Sequence, residues 1–156
     1  FPSKDEVAIA VLKRAAGWVT SQLKQAEALS PQHRLERYFD LFRILHGKGE
    51  RMCPGGSFGA VFGAISSPLQ RALHAFTKMH LDWLEGVVRE GVERGQFSIG
   101  EQRPRDIAVQ IFASIQGGLL TGRLISDPHV IDQIAEELRG YLGYAPPGGG
   151  GATLHP

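Results

Sequence analysis

Six histidines, one cysteine and a scatter of serines are the side chains of this 156-residue chain most able to do chemistry, and their spacing limits what that chemistry is. The histidines stand at 33, 46, 74, 80, 129 and 155, and no two are three or four apart, the spacing that lets one helix present a pair to a metal ion. No metal and no cofactor are therefore expected. His80 alone falls within an apolar stripe, where it is either a core histidine bonded to a neighbour or a polar group facing a ligand in an aromatic pocket. Cys53 lies in a glycine-rich turn near Arg51; a sensor thiol needs a cationic neighbour and exposure, and a small buried hydrophobe is the other reading. Ser57, Ser66, Ser67 and Ser114 each have a capping or packing explanation, so no Ser, His and acid constellation can be read and no catalysis is expected.

The elements that must hold these groups read as helices throughout. Ser3 followed by Glu6 is a capping box, with the hydroxyl on the Glu6 amide and the carboxylate reaching back to the Ser3 amide. Three more boundaries repeat a capping side chain followed by proline: Ser30-Pro31, Ser67-Pro68 and Asp127-Pro128. Proline at the first helical position is pre-set for the helix and lacks only an amide that is unpaired there anyway, so helices are expected to start at all three. The first helix spans about Lys4 to Ala26, with Val7, Val11, Leu12, Trp18, Val19 and Leu23 at near-helical spacing. The second, about Pro31 to His46, carries Leu35, Tyr38, Phe39, Phe42 and Leu45 and ends before Gly47-Lys48-Gly49. Met52 to Ser57 reads as a turn-rich break whose glycines permit unusual conformations, followed by a short helix through Phe58, Val61, Phe62 and Ile65. A long helix from Pro68 to about Arg94 closes at Gly95, another runs from Pro104 to about Ser126, and a last amphipathic one carries Val130, Ile131, Ile134, Leu138, Tyr141 and Leu142. No strand is read. Residues 144–156, with Pro146-Pro147 and four successive glycines, hold too little apolar surface to offset their ordering entropy and are expected to be a disordered tail.

Composition sets the outer bounds. One domain of this size buries about 70% of the surface its unfolded form exposes. The formal net charge of +1 gives no single-sign field to draw in nucleic acid, a lone cysteine excludes an intrachain disulfide and suits a reducing cytoplasm, and no apolar run approaches a membrane span.

Two features rise above this background. Ser114, Gly118 and Gly122 recur every fourth residue, a small-residue groove that lets another backbone approach, while Ile131, Ile134, Leu138 and Tyr141 give the last helix more apolar surface than the outer helix of a monomer needs. An internal helix contact is the plainer explanation of the groove. The second feature is aromatic: Phe39, Phe42, Phe58, Phe62, Phe76, Trp83 and Phe112 all fall on inward stripes of the middle helices, which is a core in most proteins and a pocket in some.

Three segments, in order, resemble the TetR family of transcriptional regulators. Phe1-Pro2-Ser3-Lys4-Asp5-Glu6 resembles the aromatic-x-x-Phe-Pro-Ser-Lys-Glu run that closes the family's helix-turn-helix head. Met52-Cys53-Pro54-Gly55-Gly56-Ser57-Phe58 is similar to a Gly-Cys-Pro-x-Gly-Ser-Leu motif of one branch, with Met52 in place of glycine and Val61 where that branch often carries glutamate. Gln116-Gly117-Gly118-Leu119-Leu120, followed by Asp127-Pro128 and an amphipathic helix, looks like the family's last two helices. The resemblance implies an all-α, multi-helix orthogonal bundle of about six helices, an effector-binding and dimerisation domain over 1–143, with 1–6 as the end of a DNA-binding head that is itself missing. It implies a homodimer whose last two helices form a four-helix bundle through Ser114, Gly118, Gly122, Ile125, Ile131, Ile134, Leu138 and Tyr141. It also implies a small hydrophobic or aromatic effector among Phe42, Phe58, Phe62, Phe76, His80, Trp83, Phe112 and Gln116, with Lys4 as a phosphate contact and DNA bound only through the head. Two other classes compete: the helical half of an enzyme resembling a glutathione transferase, and a helical scaffold with no ligand cavity.

Overall fold

The computed structural model describes residues 2–47 and 52–148. The readings made on Phe1, on Lys48 to Arg51 and on 149–156 lie outside these residues.

The described residues form six α-helices and one 3₁₀ turn: α1 (Lys4–Gln25), α2 (Pro31–Gly47), α3 (Pro54–Gly59), the turn Phe62–Ala64, α4 (Ser67–Glu93), α5 (Pro104–Ile125) and α6 (Val130–Leu142). The fold is all-α. Helix α4 is the hub, with α1, α2, α3 and α5 packed on it, while α6 closes against α5 and α2. Leu35, Phe39, Phe42, Leu84, Val88, Ile111 and Ile115 from α2, α4 and α5 are at most 1% exposed and make the centre of the core. Burying a side chain of that size contributes about 1.5–3 kcal/mol relative to leaving it in water.

Local chemistry explains the boundaries. The capping box is formed as read, with Glu6 donating its amide to Ser3 Oγ at 3.2 Å and Ser3 donating its own to Glu6 Oε2 at 2.6 Å. Pro31 is the first residue of α2, and Ser30 Oγ accepts the His33 amide. At α4 the cap lies one residue earlier than expected: Ser66 accepts the Leu69 amide and Pro68 takes the second helical position, where its missing donor is equally harmless. At α6 the start shifts two residues, to Val130. Asp127 instead joins the end of α5 to a tight turn: its amide donates to the Gly122 carbonyl, its carbonyl accepts from His46 Nε2, and its carboxylate accepts the His129 amide.

Two further corrections bear on the site. Residues 54–57 are not a turn: Cys53 is the N-cap of α3 and Pro54 its first residue. Gly55 stands at a close approach, since a Cβ there would lie 2.8 Å from the Phe76 ring, whereas one on Gly56 would meet only the movable end of Gln116, at 2.8 Å from Oε1. Tyr144, expected to open the disordered tail, is buried; its amide donates to the Arg139 carbonyl and its hydroxyl to Glu36.

Candidate functional site

The site is built where α2, α4 and α5 meet beneath α3. Helical spacing puts Tyr38 and Phe42 on one face of α2, Phe76, His80 and Trp83 on the facing stripe of α4, and Phe112 and Gln116 on α5. His80 sits at the centre, fully buried and the sole polar or charged side chain buried to that degree among the described residues. Phe76, Phe112, Tyr38 and Phe42 surround it with ring centroids at 4.8, 5.3, 5.9 and 6.1 Å, and Trp83 stacks on Tyr38 at 5.6 Å.

Polar atoms in this cluster are incompletely satisfied. The Tyr38 hydroxyl lies 3.0 Å from His80 Nδ1, but His80 Nε2 and the amide nitrogen of Gln116 are both buried with no hydrogen-bond partner among the described residues. A buried unpaired donor or acceptor costs about 1–3 kcal/mol, which a buried water or a bound ligand relieves. Burial pulls the His80 pKa down to about 4, which keeps the ring neutral at pH 7. Burial also pushes the Tyr38 hydroxyl well above its ordinary value, so it stays protonated. Cys53 borders the cluster. Burial pushes its thiol up, opposed by the Gly55 and Gly56 amides and by the Gln116 amide nitrogen, which lies near the sulfur without hydrogen-bond geometry, and the thiol form that results is not a nucleophile.

An apolar cleft of about 180 Å³ opens between α1 and α4, lined by Leu12, Lys13, Ala16, Ala72, Ala75 and Phe76. Phe76 belongs to both the cleft and the His80 cluster. Small alanines on both helices leave the slack there, and the ring that ends the cleft is the one packed closest on His80.

Of the residues read from the sequence as ligand-facing, Phe42, Phe76, His80, Trp83 and Phe112 come together and Gln116 contributes an unpaired donor beside Gly56. Phe62 does not join them; it stands edge-on to His74 at 5.2 Å, and Phe58 is half-buried against the outer core. Tyr38 was missed as a site residue. Its signal was available, a hydroxyl-bearing ring one helical turn before Phe42, but on a stripe of phenylalanines it read as core.

The residues read as a dimer face divide in two. Gly118, Gly122, Ile131 and Leu138 are used inside the chain: a Cβ on Gly118 would lie 2.2 Å from Ile134 Cδ1 of α6, and one on Gly122 would lie 2.7 Å from the His46 ring. At Gly118 and Gly122 the small-residue groove is thus filled by the chain's own α6 and His46, while its Ser114 end borders a cleft of about 490 Å³ shared with Ile134 and Leu138. Ser114 and Ile134 are half-buried, whereas Ile125 is 61% and Tyr141 46% exposed. With Val109, Leu120 and Leu124, the last 74% exposed, Ile125 leaves an apolar stripe of α5 facing solvent. Lys4 is exposed in the first turn of α1.

No protein-family model matches the chain, and no curated protein sequence does. Solved structures do match its fold. A TetR transcriptional regulator from Legionella pneumophila superposes with a TM-score of 0.78 at 23% identity, over 91% of this chain and 75% of that one. A TetR-family regulator from Agrobacterium tumefaciens gives 0.84 at 16% identity, over 91% and 76%. The regulatory protein TetR from Rhodobacter sphaeroides gives 0.80 at 19%, over 90% and 77%. The chain therefore has the fold that these TetR-type regulators share. Among the described residues no helix is long and apolar enough to cross a membrane.

Proposed function

We propose that the chain is the effector-binding and dimerisation domain of a ligand-responsive transcriptional repressor, acting without catalysis. The fold it shares with regulators, over nine-tenths of its length, supports the class. The observation that carries a ligand-responsive role is the pair of unpartnered buried nitrogens, His80 Nε2 within the aromatic cluster and Gln116 Nε2 beside Gly56. A ligand reaching them through the α1–α4 cleft displaces Phe76 and shifts α1, because Leu12 and Ala16 of α1 line the same cleft. In this reading α1 leads into a helix-turn-helix head that alone holds DNA, and moving two heads off the spacing of about one helical turn releases a palindromic site. The ligand shifts the equilibrium only by its difference in affinity for the two arrangements.

The second half of the proposal is a dimer through the outward stripe of α5 and Tyr141 of α6, not through the glycine groove. Sedimentation of this chain at micromolar concentration is expected to give a dimer, and Leu124→Glu a folded monomer with unchanged helical circular dichroism. A monomeric unmodified chain would refute the assembly. The chain by itself is expected to retard no specific duplex at physiological salt, since one phosphate contact from Lys4 is worth little; retardation would show that DNA is held without a head.

A further inference from the structure

Given the ligand-site reading above, the hydrogen-bond roles inside the His80 cluster define what the site accepts. A neutral imidazole has one donor and one acceptor nitrogen. Tyr38 keeps its proton and has His80 Nδ1 as its partner at 3.0 Å. If Tyr38 donates to Nδ1, the remaining ring nitrogen is an Nε2–H and a single donor is left over. If Nδ1–H donates to the phenol oxygen instead, the phenol hydrogen and the Nε2 lone pair are both stranded. One unpaired group is less costly than two, so Nε2 carries the hydrogen.

Gln116 adds a second unpaired donor, its amide nitrogen, with its oxygen held over Gly56. The site thus offers two N–H groups. It offers no charge: no Asp, Glu, Lys or Arg is buried among the described residues, so an anion would enter without a cation to balance it and a cation would find no acceptor. The walls are the rings of Phe76, Phe112 and Phe42, which favour a flat partner. We infer that this site takes an uncharged, flat ring compound whose carbonyl-type oxygen accepts a hydrogen bond from His80 Nε2–H.

Three probes of similar size separate the possibilities: acetophenone, with a neutral acceptor; isopropylbenzene, with the same shape and no acceptor; and benzoate, with a charged one. The chain labelled with ¹⁵N in its histidine rings is titrated with each at pH 7.5. The free protein is expected to show His80 as the Nε2–H tautomer. Acetophenone is expected to shift that nitrogen and to bind about tenfold more tightly than isopropylbenzene, with benzoate weaker than acetophenone. In His80→Phe the preference for acetophenone over isopropylbenzene is expected to vanish while both still bind. An Nδ1–H tautomer in the free protein overturns the donor assignment whatever the variant does. Isopropylbenzene or benzoate binding as tightly as acetophenone overturns the acceptor rule and leaves the ligand site standing. If none of the three perturbs His80, the ligand-site reading falls and this inference with it.

Discussion

On one side of α2, Glu36 accepts two hydrogen bonds from Arg139 of α6, at 2.7 and 2.9 Å, and a third from the Tyr144 hydroxyl at 2.9 Å. Two residues further along the same helix, Tyr38 meets His80, whose Nε2, like the nearby Gln116 amide nitrogen, has no hydrogen-bond partner among the described residues. Both are polar groups withdrawn from water, yet the first is completed by residues from the far end of the chain and the second is not. Completion explains why the carboxylate stays charged: burial pushes Glu36 up, but the bonds from Arg139 and Tyr144 and the charges of Arg139 and Arg43 hold it below the usual carboxylate range. His80 has no such compensation, and burial alone sets its direction. The contrast separates a polar cluster completed within the chain from one that is left incomplete.

Breaking the fastened cluster is expected to have the largest effect. Arg139→Ala takes from Glu36 two of its three hydrogen bonds and its paired charge, and with the pair's side chains 15% and 18% exposed the loss falls at the lower end for buried ion pairs, about 3 kcal/mol. Urea denaturation measures it. A loss below about 1 kcal/mol would place this pair with ordinary surface bridges.

Acid should dissect the two clusters in separate windows. The folded-state pKa of His80, about 4, lies below its unfolded value of 6.5, so the unfolded chain binds more protons between these values and stability falls as pH falls through that window. The loss reaches about 2 kcal/mol by pH 5. Glu36, also depressed, contributes stability that is present above its unfolded value of 4.5 and is lost below it as pH falls through the folded value. His80→Phe is therefore expected to flatten the stability profile between pH 6.5 and 5 and to leave the steeper loss below 4.5. A variant that tracks the parent between pH 6.5 and 5 would show that another group controls that limb.

Much of the bundle was legible because helix signals are local. Ser3 and Glu6 are three residues apart, Pro31 sits beside its cap, and the stripes of α2, α4 and α5 repeat within one element. Inward-facing aromatics then brought His80 to the centre without any knowledge of partners. What escaped reading was set by contacts distant in sequence. Asp127 looked like a cap until His46 and Gly122, from elsewhere in the fold, claimed its backbone. Gly118 and Gly122 looked like a groove for a second chain because the residues that fill it, Ile134 and His46, are 16 and 76 positions away. Tyr144 looked like tail because Glu36, 108 residues earlier, gives its hydroxyl a partner. The glycines after Cys53 read as turn-formers, whereas the constraint on them is the nearness of Phe76 and Gln116.

A smaller effect follows from removing one oxygen. Tyr38→Phe takes away the hydroxyl that fixes the His80 tautomer and leaves Nδ1 unpaired, at an expected cost of about 1 kcal/mol. The His80 ring is then expected to populate both neutral tautomers, read from its ¹⁵N shifts, where Arg139→Ala leaves the Nε2–H form in place.

The smallest effect on stability is expected from the double variant Tyr38→Phe with His80→Phe, and it tests the comparison most directly. Each single change removes one partner of a buried pair and leaves the other unpaired. The double change removes both, together with the Nε2–H that had no partner to begin with, and substitutes apolar rings in an already aromatic shell. Replacing both partners of a buried hydrogen bond by apolar groups of similar shape is nearly neutral or stabilising, so urea denaturation at pH 7.5 should place the double variant within about 1 kcal/mol of the parent. No such gain is available at Glu36, where both carboxylate oxygens already accept hydrogen bonds. Binding should move the opposite way: the double variant keeps the fold and loses the preference for a carbonyl over a hydrocarbon of the same outline. A double variant several kcal/mol less stable than the parent would mean that the Tyr38–His80 pair fastens the bundle as Glu36–Arg139 does, and that the two clusters differ in completeness without differing in role.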